Sequence, residues 1–202
     1  FTYDLPSGYT AYVGRDKYEN EDLIRCALPC DVWFHVDALS SAHVYLRLHD
    51  GDTLDSIPEN ALEECCQLVK ARSIRGCKLH ETTVVYTMAS NLLKTQAMDV
   101  GQVGFHDDRA RRFRRVVKNN QTVTRVERLR TEQTLDQHRV AYDDFLREEK
   151  RTRAREYEDA RRREAAAARA SRERARIESY ADVMRPENMT TNDAPFDEDD
   201  FM

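Results

Sequence analysis

Asp31-Val32-Trp33-Phe34-His35-Val36, followed after a short gap by His43-Val44-Tyr45-Leu46-Arg47-Leu48, is the stretch on which the fold turns. Val32–Val36 reads as a strand. From His43 the residues alternate, with Val44, Leu46 and Leu48 on one face and His43, Tyr45 and Arg47 on the other. A turn near Asp37–Ser41 joins the two segments as an antiparallel hairpin or a strand–loop–strand. The same two-residue period puts Asp31, Trp33 and His35 on one face of the first strand, and a neighbouring strand starting at His43 can bring a second imidazole beside them.

Working outward, Thr10–Val13 reads as a short strand closed by Gly14, and Tyr18–Ala27 as a helix with Leu23, Ile24 and Ala27 inward. Asp50-Gly51-Asp52 is a turn. Ser56-Ile57-Pro58-Glu59 reads as a helix start, with Ser56 capping, Pro58 in the first turn and Glu59 completing a capping box. Leu62, Cys65, Cys66 and Val69 then recur at helical spacing, and the helix is expected to end before Gly76 in a left-handed cap. Thr83–Thr87, Val100–Phe105 and Arg111–Val117 read as further strands. Asn119 or Asn120 can cap a helix carrying Val123, Val126 and Leu129. The expectation is a compact α+β domain over residues 1–130, about the size at which a chain buries a real core.

Composition changes near residue 130. All six glycines lie at or before Gly104, and no proline stands between Gly104 and Arg185. Residues 140–179 are built almost wholly from Arg, Glu, Ala, Lys and Asp, strong helix formers in the main, with pairs such as Arg169 and Glu173 at i,i+4. One long helix is expected over roughly 133–183, within a segment 131–185, stopping before Pro186. Val140, Ala141, Phe145 and Leu146 can pack at its base. Beyond them Ala154, Tyr157, Ala160, Ala165 and Ala168 form a thin stripe, which suits a solvated helix held by ion pairs, a weak coiled coil or a helix lying on a protein partner. Residues 186–202 carry six acids and no base, and are expected to be disordered.

The net charge of −5 hides an uneven distribution: residues 101–130 hold nine basic and three acidic residues, against nine and 15 in residues 1–100. No apolar run approaches the about 20 residues a membrane-spanning helix needs, and Phe1–Thr10 has no signal-peptide pattern. Position 1 is not Met, so a short upstream stretch is expected to be missing. Five cysteines without framework spacing point to free thiols in a reducing compartment, and a cytoplasmic location is expected. Enzyme readings fare badly: Cys30 lies near His35, but no nucleophile-elbow or protease signature surrounds it. Cys26-x3-Cys30 with His35 and His43 matches no zinc-ribbon or finger spacing. No catalytic residue, cofactor or metal is expected.

Three clusters carry chemistry. Trp33, His35 and His43, with the hydroxyls of Ser40 and Ser41, suit a platform for a base or a sugar–phosphate backbone, or else a core Trp with histidines satisfying buried polar groups. Gly14-Arg15-Asp16-Lys17 enters a helix start, whose free amides and two cations can hold a phosphate, although no P-loop is present. Arg109–Lys118 holds six basic residues with few acids interleaved, and strand alternation puts Arg112 and Arg114 on one face. Such density favours polyanions.

Asp31-Val32-Trp33-Phe34-His35 followed by Ser41-Ala42-His43-Val44 resembles the signature of the NFACT-R domain. The segment Gly14-Arg15-Asp16-Lys17-Tyr18-Glu19-Asn20-Glu21-Asp22-Leu23 is similar to that domain's preceding motif. The stand-alone coiled-coil-domain-containing branch of the family is resembled further by Ser40–Leu48, Met98-Asp99-Val100-Gly101-Gln102, Gly104-Phe105-His106, the charged helix, Ser179-Tyr180, Glu187-Asn188-Met189 and Asp200-Phe201-Met202. A departure is the Arg density of Arg109–Lys118. The resemblance implies an α+β domain associated with nucleic acid, which in larger relatives belongs to ribosome-associated quality-control factors working near tRNA and rRNA. Their tail-elongating activity does not transfer, because their other domains are missing here. The branch has also been linked to DNA and to membranes, which keeps nuclear and membrane-associated locations open beside the cytoplasm.

The motif supplies as site candidates Arg15, Lys17, Asn20, Asp31, Trp33, His35, Ser41 and His43, and the basic segment adds Arg112, Arg114 and Arg115. The function expected is non-catalytic nucleic-acid binding, RNA first, at or near ribosomes. DNA binding by the same surface is the runner-up. A protein-interaction adaptor using the helix and acidic tail is the alternative of another class. Burial discriminates: solvent-facing His35 and His43 beside Arg15 and Lys17 favour nucleic acid, and a buried, inert cluster favours the adaptor.

Overall fold

The computed structural model describes residues 1–132, 135–179 and 184–188. In chain order the first elements are β1 (Thr2–Asp4), β2 (Thr10–Val13), α1 (Lys17–Cys26), β3 (Asp31–Val36), β4 (Val44–Arg47) and α2 (Glu59–Ala71). They are followed by β5 (Glu81–Met88), β6 (Leu92–Leu93), β7 (Gly104–Phe105), β8 (Arg112–Val117), α3 (Asn120–Glu127), β9 (Arg130–Thr131) and α4 (Leu135–Glu178). Seven strands form one sheet in the order β8-β5-β3-β4-β2-β1-β9, every neighbouring pair antiparallel, and β6 pairs with β7 separately. The α+β expectation is met, and β3 and β4 pair antiparallel with Trp33 opposite Tyr45.

Both faces of the sheet centre are covered. On one, Val32, Phe34, Val36, Val44 and Leu46 pack against Leu62, Cys65, Cys66 and Val69 of α2. On the other, Tyr12, Trp33, Tyr45 and Val85 pack with Leu23 and Cys26 of α1, with Leu92 of β6, Phe105 of β7 and Val103 just before it, and with Tyr142. Alternation therefore sorts β4 residues between two buried faces, and does not separate an inside from a wet outside. Burying large side chains on both faces, each worth about 1.5–3 kcal/mol, is what holds this half together.

Local signals set several of these elements, and of them the Asn119 cap acts as read. Asp16 caps α1 by accepting from the Tyr18 and Glu19 amides, and Asn119 caps α3 by accepting from the Gln121 and Thr122 amides. Gly14 is required by close approach, since a Cβ there would lie 2.1 Å from Asn20 Oδ1. Others differ. Ser56 does not cap α2: its Oγ turns back to the Thr53 amide and carbonyl, and the helix starts after Pro58 without a side-chain cap. α2 ends at Ala71 with Arg72 in a right-handed conformation, and Gly76 instead begins a 3-10 turn, Gly76–Lys78, packed against Ser73. Val100–Phe105 is strand only at its last two residues. The short strands β1 and β9 carry too few residues to show a period.

The chain divides into two units, Phe1–Arg147 and Glu148–Met202. The first extends past the compositional change at residue 130 because the base of α4 packs on it. Tyr142 joins the second core cluster, the His138 ring lies 4.5 Å from that of Tyr12, and Arg139 pairs with Asp22 at 3.2 Å. In the second unit the described part of α4 is exposed nearly throughout, with ion pairs Arg151–Glu148, Arg153–Glu149 and Arg176–Glu173. Glu173 pairs with Arg176 rather than with Arg169. The ends of the expected helix, at 133–134 and 180–183, lie outside the described residues, as does the expected tail apart from its first turn, Pro186–Asn188.

Candidate nucleic-acid interface

β3 is the origin of the site. Its outward period places Trp33 and His35 side by side, and the β3–β4 turn returns His43 to them. The Trp33 and His35 rings are nearly parallel, 4° apart with centroids at 5.4 Å. His43 stands edge-on to both, 5.3 Å from each. Phe105, from β7, meets Trp33 edge-on at 5.8 Å, and the Arg111 guanidinium lies 4.9 Å from the Phe105 ring centre and 5.5 Å from that of Phe113. Trp33, His35, His43, Phe105 and Arg111, with Asp37, Ala38, Gly101 and Gln102, line a cleft of about 210 Å³. Ala38 holds φ 54° and Gly101 φ 79°, so two of the chain's left-handed residues stand in its wall.

Trp33 is 2% exposed and His43 3%, while His35 is half-buried. Burial lowers both imidazole pKa values, that of His43 to about 3. Both rings are therefore held neutral at physiological pH and carry no charge to grip a phosphate. His43 Nδ1, Trp33 Nε1, Tyr45 OH and Asn20 Oδ1 are buried without a hydrogen-bond partner among the described residues.

The remaining motif positions separate by role. Asp31 is wholly buried: its carboxylate accepts from Arg47 Nε and Nη2 at 2.8 and 3.1 Å, from Tyr12 OH at 2.5 Å and from the Leu28 amide at 2.7 Å. It shares Trp33's face of β3 but locks the far end of the strand. Ser41 Oγ accepts from the Val36 amide and donates to the Ala42 carbonyl, fixing the turn that delivers His43. Asn20 is buried beside Gly14. Arg15 is exposed and paired with Glu19 at 3.2 Å, and Lys17 Nζ lies over the Tyr18 ring. Neither cation lines the cleft, although the Lys17 backbone abuts Gly101, which does.

The β8 arginines are not a bare basic strip. Arg112 faces Asp55 at 3.8 Å, Arg114 pairs with Glu59 and Glu63, and Arg115 pairs with Glu81. The impression that few acids interleave is corrected by these partners, which come from the turn before α2, from α2 and from β5. Phe105, Arg111 and Gln102 were not among the sequence-derived site residues. The signal for Gln102 and Phe105 was the Gly101-Gln102-x-Gly104-Phe105 stretch and that for Arg111 the basic segment Arg109–Lys118, legible as motifs but not as walls of the same cleft. Cys26 is buried at the end of α1 and Cys30 is exposed, and no group of three or more metal-ligating side chains occurs among the described residues.

Comparison with known proteins agrees with this architecture. The family described as the NFACT protein RNA binding domain matches residues 1–107. Coiled-coil domain-containing protein 25 of Bos taurus is 46% identical over 199 residues, covering 97% of this chain and 94% of the relative. The Dictyostelium discoideum homologue is 52% identical over 129 residues, 63% of each chain. The solved C-terminal part of the fibronectin/fibrinogen-binding protein from Streptococcus suis shares the fold, with a TM-score of 0.53 at 19% identity over 62% of this chain and 47% of that one. The fold and the matched residues thus define an NFACT-R protein. The chain belongs to the coiled-coil domain-containing protein 25 family.

Proposed function

We propose that the chain is a non-catalytic RNA-binding protein that uses the Trp33–His35–His43 cleft and the adjacent start of α1, acting in the cytoplasm at or near ribosomes. The observation that carries this reading is the coincidence of two things: the family match to an RNA binding domain over residues 1–107, and, within those residues, an aromatic–imidazole cleft with unpartnered buried polar atoms. Rings that present flat faces and edges suit unstacked RNA bases. Arg15, Lys17 and Arg111 supply backbone contacts, which position the polymer without reading its sequence.

The test is a salt titration of RNA and DNA binding with the full chain. Affinity for RNA should fall steeply with salt, and DNA should bind more weakly under the same conditions. Equal or tighter DNA binding would favour the DNA reading, and binding of neither polymer at low salt would end both. The adaptor reading draws on a specific observation: His43 is buried, as that reading requires. His35, half-buried at the cleft, points the other way. Capture of a protein partner by the full chain and its loss on removal of residues 148–202 would support the adaptor.

A further inference from the structure

The cleft can be asked which part of an RNA it takes. Its volume, about 210 Å³, falls below the about 300–1,000 Å³ of drug-sized sites, so it receives a ring system and not a whole nucleotide. Its two imidazoles are held neutral by burial, and the two charged side chains in its lining, Asp37 and Arg111, are of opposite sign. A bare phosphate therefore finds no net positive charge there. Two polar atoms of the lining residues stand buried and unsatisfied: Trp33 Nε1, a donor only, and His43 Nδ1. A folded protein that leaves such atoms orphaned gives up stability unless something completes them. The left-handed Ala38 in the wall adds a strained residue at the same place, a feature concentrated at functional sites.

An aromatic pocket can also cage a cation. Here Arg111, seated over Phe105 in the cleft wall, offsets the Asp37 carboxylate, so a cationic guest meets no net negative charge, and the guanidinium suits a phosphate lying outside. What remains is a neutral, flat, polar ring with hydrogen-bonding edges and an anionic tail. We infer that the cleft receives a single unstacked nucleobase against its ring-lined wall, with Trp33 and His43 as the residues that meet it and Arg111 meeting the phosphate outside. This rests on the RNA-binding reading and names what that site holds.

Trp33 is the sole tryptophan, so its emission reports on this cleft alone. The experiment follows Trp33 fluorescence and, separately, the anisotropy of a labelled single-stranded oligoribonucleotide, with the full chain. Adenosine and uridine monophosphates should quench or shift Trp33 saturably, and ribose 5-phosphate should not. An oligonucleotide made abasic at the contacted position should bind about tenfold more weakly or worse, as expected for loss of one aromatic-held base. His43→Phe, which keeps a ring and removes Nδ1, should erase that difference between intact and abasic strands, with circular dichroism as the fold control. If His43→Phe does not fold, the wild-type comparison of intact and abasic strands decides alone.

Binding of intact and abasic strands with equal affinity and an unchanged Trp33 signal would overturn the inference and leave the RNA reading standing. Monophosphate binding without polymer binding would support the inference and overturn the RNA reading. A stronger Trp33 response to a trimethyl-lysine peptide than to any monophosphate would replace the nucleobase with a cationic ligand.

Discussion

The sheet centre and the outer part of α4 are ordered by opposite means. Around Trp33 and Tyr45 nearly every side chain is buried, most polar groups are tied to a named partner, and the four that are not stand out. Along 148–178 nearly every side chain is exposed, and order comes from helix propensity and i,i+3 or i,i+4 ion pairs worth a few tenths of a kcal/mol each. The difference teaches where sequence change is felt. In the sheet one atom matters, whereas on the helix only the sum of many residues does.

The largest effect should come from Asp31→Ala. It strands the Arg47 guanidinium and removes the acceptor of Tyr12 and of the Leu28 amide, so unfolding by denaturant should show a loss of about 3–5 kcal/mol. A loss below about 1 kcal/mol would mean that the buried network is relaxed by water and that the contrast with the helix is overstated.

Acid comes next. His43 has a folded pKa of about 3 against an ordinary 6.5, so the unfolded chain binds a proton that the folded chain refuses. The stability this protects is fully present above pH 6.5 and is lost as pH falls from there toward 3, by about 2 kcal/mol at pH 5. His35 contributes in the same direction. His43→Phe should flatten this limb of the stability–pH curve, and an unchanged slope would show that the imidazole is protonated in the fold.

The boundary between the regions can be located by truncation. Ending the chain after Arg147 should leave the melting temperature within about 2 °C. Ending it at 134 removes Tyr142, His138 and Arg139 from the first unit and should lower it by about 5 °C. Equal melting of the two truncated chains would move the boundary back to residue 130. The smallest effect belongs to the helix surface: Glu149→Gln breaks the Arg153 pair and should change stability by less than about 0.5 kcal/mol, within error in 1 M salt.

Much of this was readable from sequence where a local rule acts alone. Asn119 caps α3, the β3–β4 pair alternates, and the charged helix declares itself by composition. The failures have two causes, a competing local partner and a partner distant in the chain. Ser56 was read as a cap, but the nearby Thr53 backbone takes its hydroxyl. Arg112–Arg115 looked unpaired because Asp55, Glu59, Glu63 and Glu81 lie 34 to 57 positions away. Within the candidate site, Trp33, His35 and His43 were placed together by a two-residue period. Asp31, on the same strand face, belongs to a different cluster, because a face runs the length of a strand while a cleft spans only part of it.

The pairing of β1 with β9, Thr2 opposite Thr131, sets a timetable for biosynthesis. β1 waits for β9, made well over a hundred residues later, so a nascent chain released before residue 131 presents β1 as an open edge. Such an edge, with unpaired amides and carbonyls, is a template for another chain. The closure is also of long contact order, which slows folding. A stall within α3 would therefore yield an aggregation-prone product even though most of the core residues had already been made.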